Sequence, residues 1–323
     1  LRRPTPCSNS SVWKLWCRVP ARCSLVLTDV LTLNDSETGM SKTSTFLYGG
    51  NVHANGIRQH YLRYGGASDA RAGRDPVIIV PGITSPAVTW GFVGEHFGTT
   101  FDTYVLDVRG RGLSSASDSL DYSLDAQAAD LVAFAQALAL TRYSVVGHSM
   151  GGRIGVRAAR TQPRGLARLV MLDPPVSGPG RRPYPSQLPW YVDSMRLARE
   201  GTDAEGMRAF CPSWTDEQRQ LRAEWLHTCD ERAVIASFEG FHTDDMHGDL
   251  PHIGIPVLLM TAGRGDVVRP EDIEEIRTLV PQLEHSHVSD AGHMIPWDDE
   301  PGFYRAFGDF LGAPLPSLAT VRA

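Results

Sequence analysis

The sequence predicts an α/β fold, a mostly parallel sheet flanked by helices with a helical lid inserted near its middle. Three observations carry that reading. Short apolar runs of strand length alternate with segments of helical spacing over residues 76–172. The alternation stops at Asp173, and no convincing strand occurs from Pro174 to about Gly254. It then resumes to the C-terminal region, so residues 41–173 and 255–323 form one core and 174–254 an all-helical excursion from it.

Length and composition set the bounds. A chain of 323 residues with 42% hydrophobic content can bury one large core plus an insertion. A net charge of -6 supplies no basic excess to neutralise phosphates, which excludes a nucleic-acid partner. No apolar run approaches the roughly 20 residues that span a bilayer, so no membrane partner is expected. Three of the five cysteines, Cys7, Cys17 and Cys23, lie near the start, and only Cys211 and Cys229 lie later. Without a disulfide framework through the body, a reducing, cytoplasmic setting is expected.

Residues 1–40 are basic and poor in acids, with Arg2, Arg3, Lys14, Arg18 and Arg22 all preceding Asp29. That composition suits a transit peptide, or a start placed too early with Met40 as the natural first residue. Either way the segment is expected to be a non-native or disordered extension outside the fold.

From Thr45 to Tyr64 two extended segments flank Asn55-Gly56, the dipeptide best suited to the left-handed angles of a two-residue hairpin turn. Val77-Ile78-Ile79-Val80 is wholly apolar, as a parallel strand covered on both faces must be. A helix over 86–97, a strand over 101–108 and a helix over 124–140 follow. Residues 143–147 form the next strand, which leads through a sharp turn into a helix, and 166–172 a further strand. In the excursion, helices are expected near 190–199, 215–229 and 231–241, the second started by a capping box of Thr215 and Gln218. Strands over 256–260 and 284–289 and helices over 270–280 and 296–311 complete the core.

The chemistry is written at the strand ends. Gly147-His148-Ser149-Met150-Gly151 has the form GxSxG between a strand and a helix. Glycines on both sides let the backbone take a strained bend that lifts the serine hydroxyl above the sheet edge. A serine is a weak nucleophile at neutral pH and needs a base within hydrogen-bond reach. His293, in Asp290-Ala291-Gly292-His293 after the last strand, is the candidate base. Two acids compete to orient it: Asp173 after the strand that follows Ser149, and Asp266 after the next. The amides of Ile83 and Met150 are placed to bind an oxyanion. Ligands of open parallel sheets bind beyond the carboxyl ends of the strands, where all these residues fall.

With Ser, acid and His in that chain order, residues 45–312 resemble an α/β-hydrolase with a helical lid. Within that superfamily, the stretches Pro81–Trp90, Gly147–Gly151 and Asp290–Trp297 resemble the N-formylmaleamate deformylases, hydrolases of aerobic nicotinate degradation. The resemblance implies cleavage of a small anionic amide to maleamate and formate, with the nucleophile, acid and proton donor on Ser149, Asp173 and His293. It implies water as the cosubstrate and neither metal nor cofactor. An esterase or carbon–carbon hydrolase would use the same three residues on another bond, and a small-molecule receptor would keep the fold without turnover.

Other features are assigned by chemistry. Trp90 and Arg153 are the candidate substrate-binding residues, with Arg181 and Arg182 as further cations that could meet a carboxylate. Trp190 and Trp297 suit either a pocket wall or packing between the insertion and the core. His242, His247 and His252, and likewise His285 and His287, lack HExxH or CxxC spacing and are expected to be ordinary histidines. Gly110-Arg111-Gly112 lacks the GK[ST] of a phosphate loop and is expected to be a turn that orders the site.

Overall fold

A computed structural model describes residues 44–68 and 72–319. The expectation for residues 1–40 lies outside the described residues. Eight strands form one sheet: β1 (Phe46–Ala54), β2 (Ile57–Tyr64), β3 (Val77–Val80), β4 (Thr103–Leu106), β5 (Tyr143–His148), β6 (Leu166–Leu172), β7 (Val257–Ala262) and β8 (Leu283–Val288). Their spatial order is β1-β2-β4-β3-β5-β6-β7-β8. The β1–β2 and β2–β4 pairs are antiparallel and every other pair is parallel. Asn55 and Gly56 make the first turn with φ of 49° and 75°, the left-handed pair expected of this dipeptide.

Strands β3, β4 and β5 are buried along their whole length. Ile78 and Val145 point into one apolar cluster with Phe134 and Ile154. Their neighbours Ile79 and Val146 point into a second with Trp90, Phe97 and Phe303. That is the period of two of a strand with helices on both faces. Each such side chain contributes roughly 1.5–3 kcal/mol by leaving water. The helices of the first half are α1 (Gly91–Gly98), α2 (Leu124–Ala137) and α3 (Met150–Arg160), with one 3₁₀ turn at Ala87–Trp90.

Between β6 and β7 the chain forms α4 (Leu188–Glu200), α5 (Ala204–Met207), α6 (Asp216–Trp225), α7 (Glu231–Thr243) and α8 (Met246–Asp249). The capping box at α6 is formed: Gln218 N–H donates to Thr215 Oγ1 at 3.2 Å, and Thr215 N–H donates to Gln218 Oε1 at 2.9 Å. After β7 come α9 (Pro270–Leu279), α10 (Ile295–Asp298) and α11 (Glu300–Arg305). The single helix expected over 296–311 is therefore divided. Asp299 leaves helical geometry with φ -144° and caps the Gly302 amide, and Pro301 lacks the N–H that would continue the earlier turn. Among the described residues no helix is long and apolar enough to cross a membrane.

Strand β3 lies between β4 and β5, so the chain leaves it in opposite directions along the sheet. Such a switch point opens a crevice at the carboxyl edge, between the loop after β3 and the turn after β5.

Candidate active site

Ser149 occupies that turn with φ 52° and ψ -116°, in a region that non-glycine residues seldom adopt. The bend survives because its neighbours have no side chains. A Cβ on Gly151 would fall on the Val80 carbonyl oxygen, and one on Gly147 would fall on the Gly151 backbone. The end of β3 is thereby seated directly against the serine turn. Ser149 N–H donates to Leu172 O at 2.9 Å, which fixes the turn to β6.

Asp173, at the end of β6, is also left-handed, with φ 44°, and its amide donates to Met260 O at 2.9 Å. Its side chain is fully buried, and its Oδ2 lies 2.7 Å from Nδ1 of His293, which follows β8. The carboxylate can only accept, so Nδ1 carries the proton and Nε2 presents its lone pair. Ser149 and His293 line one cavity of about 450 Å³.

His148 ties the serine turn to the histidine loop. Its Nε2–H donates to the His293 carbonyl at 2.9 Å, while its Nδ1 has no hydrogen-bond partner. Complete burial, reinforced by the neighbouring His293, pushes the His148 pKa down to about 3, so the ring is neutral.

Ile83 and Met150, the expected oxyanion-binding residues, lie in the loop after β3 and at the start of α3 next to Ser149. Met150 is the first residue of α3, and its N–H is one of the donors that a helix start leaves unspent. Ile83 follows β3 on the opposite wall. Its carbonyl accepts from Nε of Arg111 at 3.0 Å, and Arg111 also donates to Ala233 O and Ser237 Oγ of α7. The Gly110–Gly112 turn thus orders the Ile83 loop, as expected.

Several expectations about the site need correction. Asp266 is exposed at the rim of the cavity, where its carboxylate pairs with Arg269 at 2.7 Å, and no bond joins it to His293. Trp90 does not line the cavity. It is wholly buried, with its ring 5.4 Å from His148 and 5.0 Å from Trp297. Arg153 is likewise buried away from the cavity, donating to the carbonyls of Pro175, Ser177, Gly240 and Asp244 at 2.7–3.2 Å. Burial lowers its pKa to about 10. Arg181 pairs with Glu275, and Arg182 with Asp272. Trp190 does line the cavity, whereas Trp297 stacks behind Trp214 at 5.3 Å.

Three lining residues were invisible to the motif reading: Tyr184, Trp214 and Arg222. The Tyr184 hydroxyl lies 3.3 Å from His293 Nε2, in the wall of the cavity that Ser149 also lines. Burial holds its pKa well above the ordinary tyrosine value, which keeps it a neutral hydrogen-bonding group. It sits in an irregular proline-rich link, where no periodicity marks a functional position. His285 and His287 share the Thr261 hydroxyl, and among the described residues no cluster of histidine, cysteine and acid could hold a metal ion.

Comparison with known proteins places the fold in a family. The family model for the alpha/beta hydrolase fold matches residues 75–300. N-formylmaleamate deformylase of Pseudomonas putida is 61% identical over 272 residues, covering 84% of this chain and 99% of that protein. A crystal structure of a serine-to-alanine variant of the N-formylmaleamic acid deformylase from Pseudomonas putida S16 is similar, with a TM-score of 0.77. It is 54% identical, over 81% of this chain and 100% of that one. E-2-(acetamidomethylene)succinate hydrolase, at 20% identity and a TM-score of 0.66 over 83% and 100% of the two chains, shares the fold. By its matched length and its 61% identical relative, the chain belongs to the α/β-hydrolase fold family.

Proposed function

We propose that this protein is an N-formylmaleamate deformylase, a serine hydrolase that splits its substrate with water into maleamate and formate. The 61% identity to the Pseudomonas putida enzyme over 99% of that enzyme's length carries the reading. The residue roles rest on the geometry of the cavity that Ser149 and His293 share.

In this mechanism the Ser149 hydroxyl turns to Nε2 of His293, which takes its proton as Oγ attacks the formyl carbon. Asp173, held on Nδ1, keeps the imidazole in the competent tautomer and stabilises the imidazolium that forms. The amides of Ile83 and Met150 receive the oxyanion, a contribution of typically a hundred- to a thousandfold per donor. Collapse of the tetrahedral intermediate breaks the carbon–nitrogen bond while His293 returns its proton to nitrogen, releasing maleamate and leaving a formyl ester on Ser149. Water, deprotonated by His293, then attacks the ester, and formate departs. Tyr184, 3.3 Å from Nε2, must yield that nitrogen to the serine hydroxyl for the first step.

We place this chemistry in the cytoplasm, a reading supported by the buried, unpaired thiols of Cys211 and Cys229. Formate release from N-formylmaleamate, measured for the wild type and for Ser149→Ala, tests the activity. The wild type should release one formate per maleamate and the variant should lose at least about three orders of magnitude. Hydrolysis of a nitrophenyl ester alone, with no formate from the formamide, would replace this reading with an esterase.

A further inference from the structure

Among the described residues, Arg222 is the one arginine that is both buried and set in the wall of the Ser149 cavity. The other buried arginines among the described residues spend their donors on fixed partners: Arg109 on Asp130, Arg111 and Arg153 on main-chain carbonyls, and Arg219 on Asp216. Arg222 is 5% exposed, and none of the described carboxylates lies within ion-pair distance of it. Its Nη1 and Nη2 reach the carbonyl and hydroxyl of Thr84 only at 3.4 Å, and its Nε–H has no acceptor. A guanidinium has five N–H donors, so most of its capacity here is unspent.

Its surroundings hold it in place without neutralising it. The Arg222 carbon lies 5.5 Å from the Trp190 ring and 5.8 Å from the Trp214 ring. Aromatic faces attract the cation and leave its edge free, and that edge carries the parallel donors that fit a carboxylate. Thr84 adjoins Ile83, so the cation stands beside the loop that faces the serine hydroxyl. The neighbouring acid in the wall, Asp298, is already committed to the Gly292 amide and the Ser213 hydroxyl.

We infer that Arg222 is the specificity-determining residue of this site. It binds a substrate carboxylate on the α6 side of the cavity and so selects short, anionic acyl amides whose cleavable carbonyl lies opposite the charge. The inference rests on the hydrolase reading above and adds to it the group that recognises the acid. A buried cation without a counter-charge is destabilising unless something answers it, and the bound anion would do so. Arg264, also in the wall, is exposed and donates to the Asp290 carbonyl, so it is the solvated alternative.

The test compares N-formylmaleamate with N-formylisocrotonamide, the cis compound that carries a methyl group in place of the carboxylate. It uses the wild type, Arg222→Met, Arg222→Lys and Arg264→Met. The ratio of kcat/KM for the anionic over the neutral substrate should fall about a hundredfold in Arg222→Met, mainly through KM. It should fall about tenfold in Arg222→Lys, and less than about threefold in Arg264→Met. Calorimetry with maleate on Ser149→Ala, with and without Arg222→Met, gives a readout without turnover, and the second change should abolish binding. Equal losses on both substrates, an unchanged ratio, or a ratio that collapses only in Arg264→Met would each overturn the inference. Should the wild type release no formate, the formamide reading fails. Arg222 is then judged by the same ratio for mono-4-nitrophenyl succinate over 4-nitrophenyl butyrate.

Discussion

Asp173 and His293 are 120 residues apart in the chain and 2.7 Å apart in space, carboxylate oxygen against Nδ1. A pair so placed sets the imidazole tautomer, and an amide at position 173 would offer a donor that favours the wrong one. Asp173→Asn should therefore lower the rate of formate release by about four orders of magnitude. Asp266→Asn should stay within about threefold of the wild type, because its carboxylate faces Arg269. Steady-state kinetics on the two variants decides the assignment, and a larger loss at 266 than at 173 would reverse it.

Arg153 donates to four main-chain carbonyls, which predicts a structural role and not a binding one. Its removal strands four carbonyl oxygens that it now serves, and buried acceptors without partners each cost about 1–3 kcal/mol. Arg153→Met should lower unfolding free energy by at least about 3 kcal/mol in urea titration. The KM for N-formylmaleamate should move less than about threefold. A raised KM with unchanged stability would return Arg153 to the binding role.

His148 makes stability depend on pH in a defined window. Its pKa is about 3 in the fold against an ordinary value near 6.5. Between those values the unfolded chain binds a proton that the folded chain refuses, so stability falls as pH drops below about 6.5. At about 1.4 kcal/mol per pH unit the loss reaches about 2 kcal/mol by pH 5, and nothing is lost above pH 7. His247, which burial pushes down to about 4, acts in the same direction. Urea midpoints at pH 7 and pH 5 should therefore differ less for His148→Asn than for the wild type, and equal differences would remove this cause.

The fold was legible because its signals are local. Strand β5, the GxSxG turn and α3 announce themselves within twenty residues, and the Asn55-Gly56 hairpin within two. His293 was legible from its place after the last strand. The choice between Asp173 and Asp266 was not, since both follow a parallel strand and only the tertiary structure decides which meets His293. Trp90 misled because nearness to Ile83 in sequence is not nearness to the cavity: the 3₁₀ turn rotates its ring into the core. Arg222 was missed for the opposite reason. Half of the residues in Asp216–Trp225 are charged, which gives no sign of an inner face, yet tertiary packing buries Arg219 and Arg222 there.

Arg153 also bears on how enzymes of this architecture can diversify. Its four acceptors come in two pairs, Pro175 with Ser177 and Gly240 with Asp244, one from the outgoing limb of the excursion and one from the returning limb. Both limbs are stitched to the first turn of the helix that begins beside the nucleophile. A chimera that transplanted a foreign cover would have to restore both pairs of carbonyls before its new wall met any substrate. Innovation in substrate range is thereby steered toward point changes near the tip, around Trp190, Trp214 and Arg222, and away from wholesale exchange at the roots.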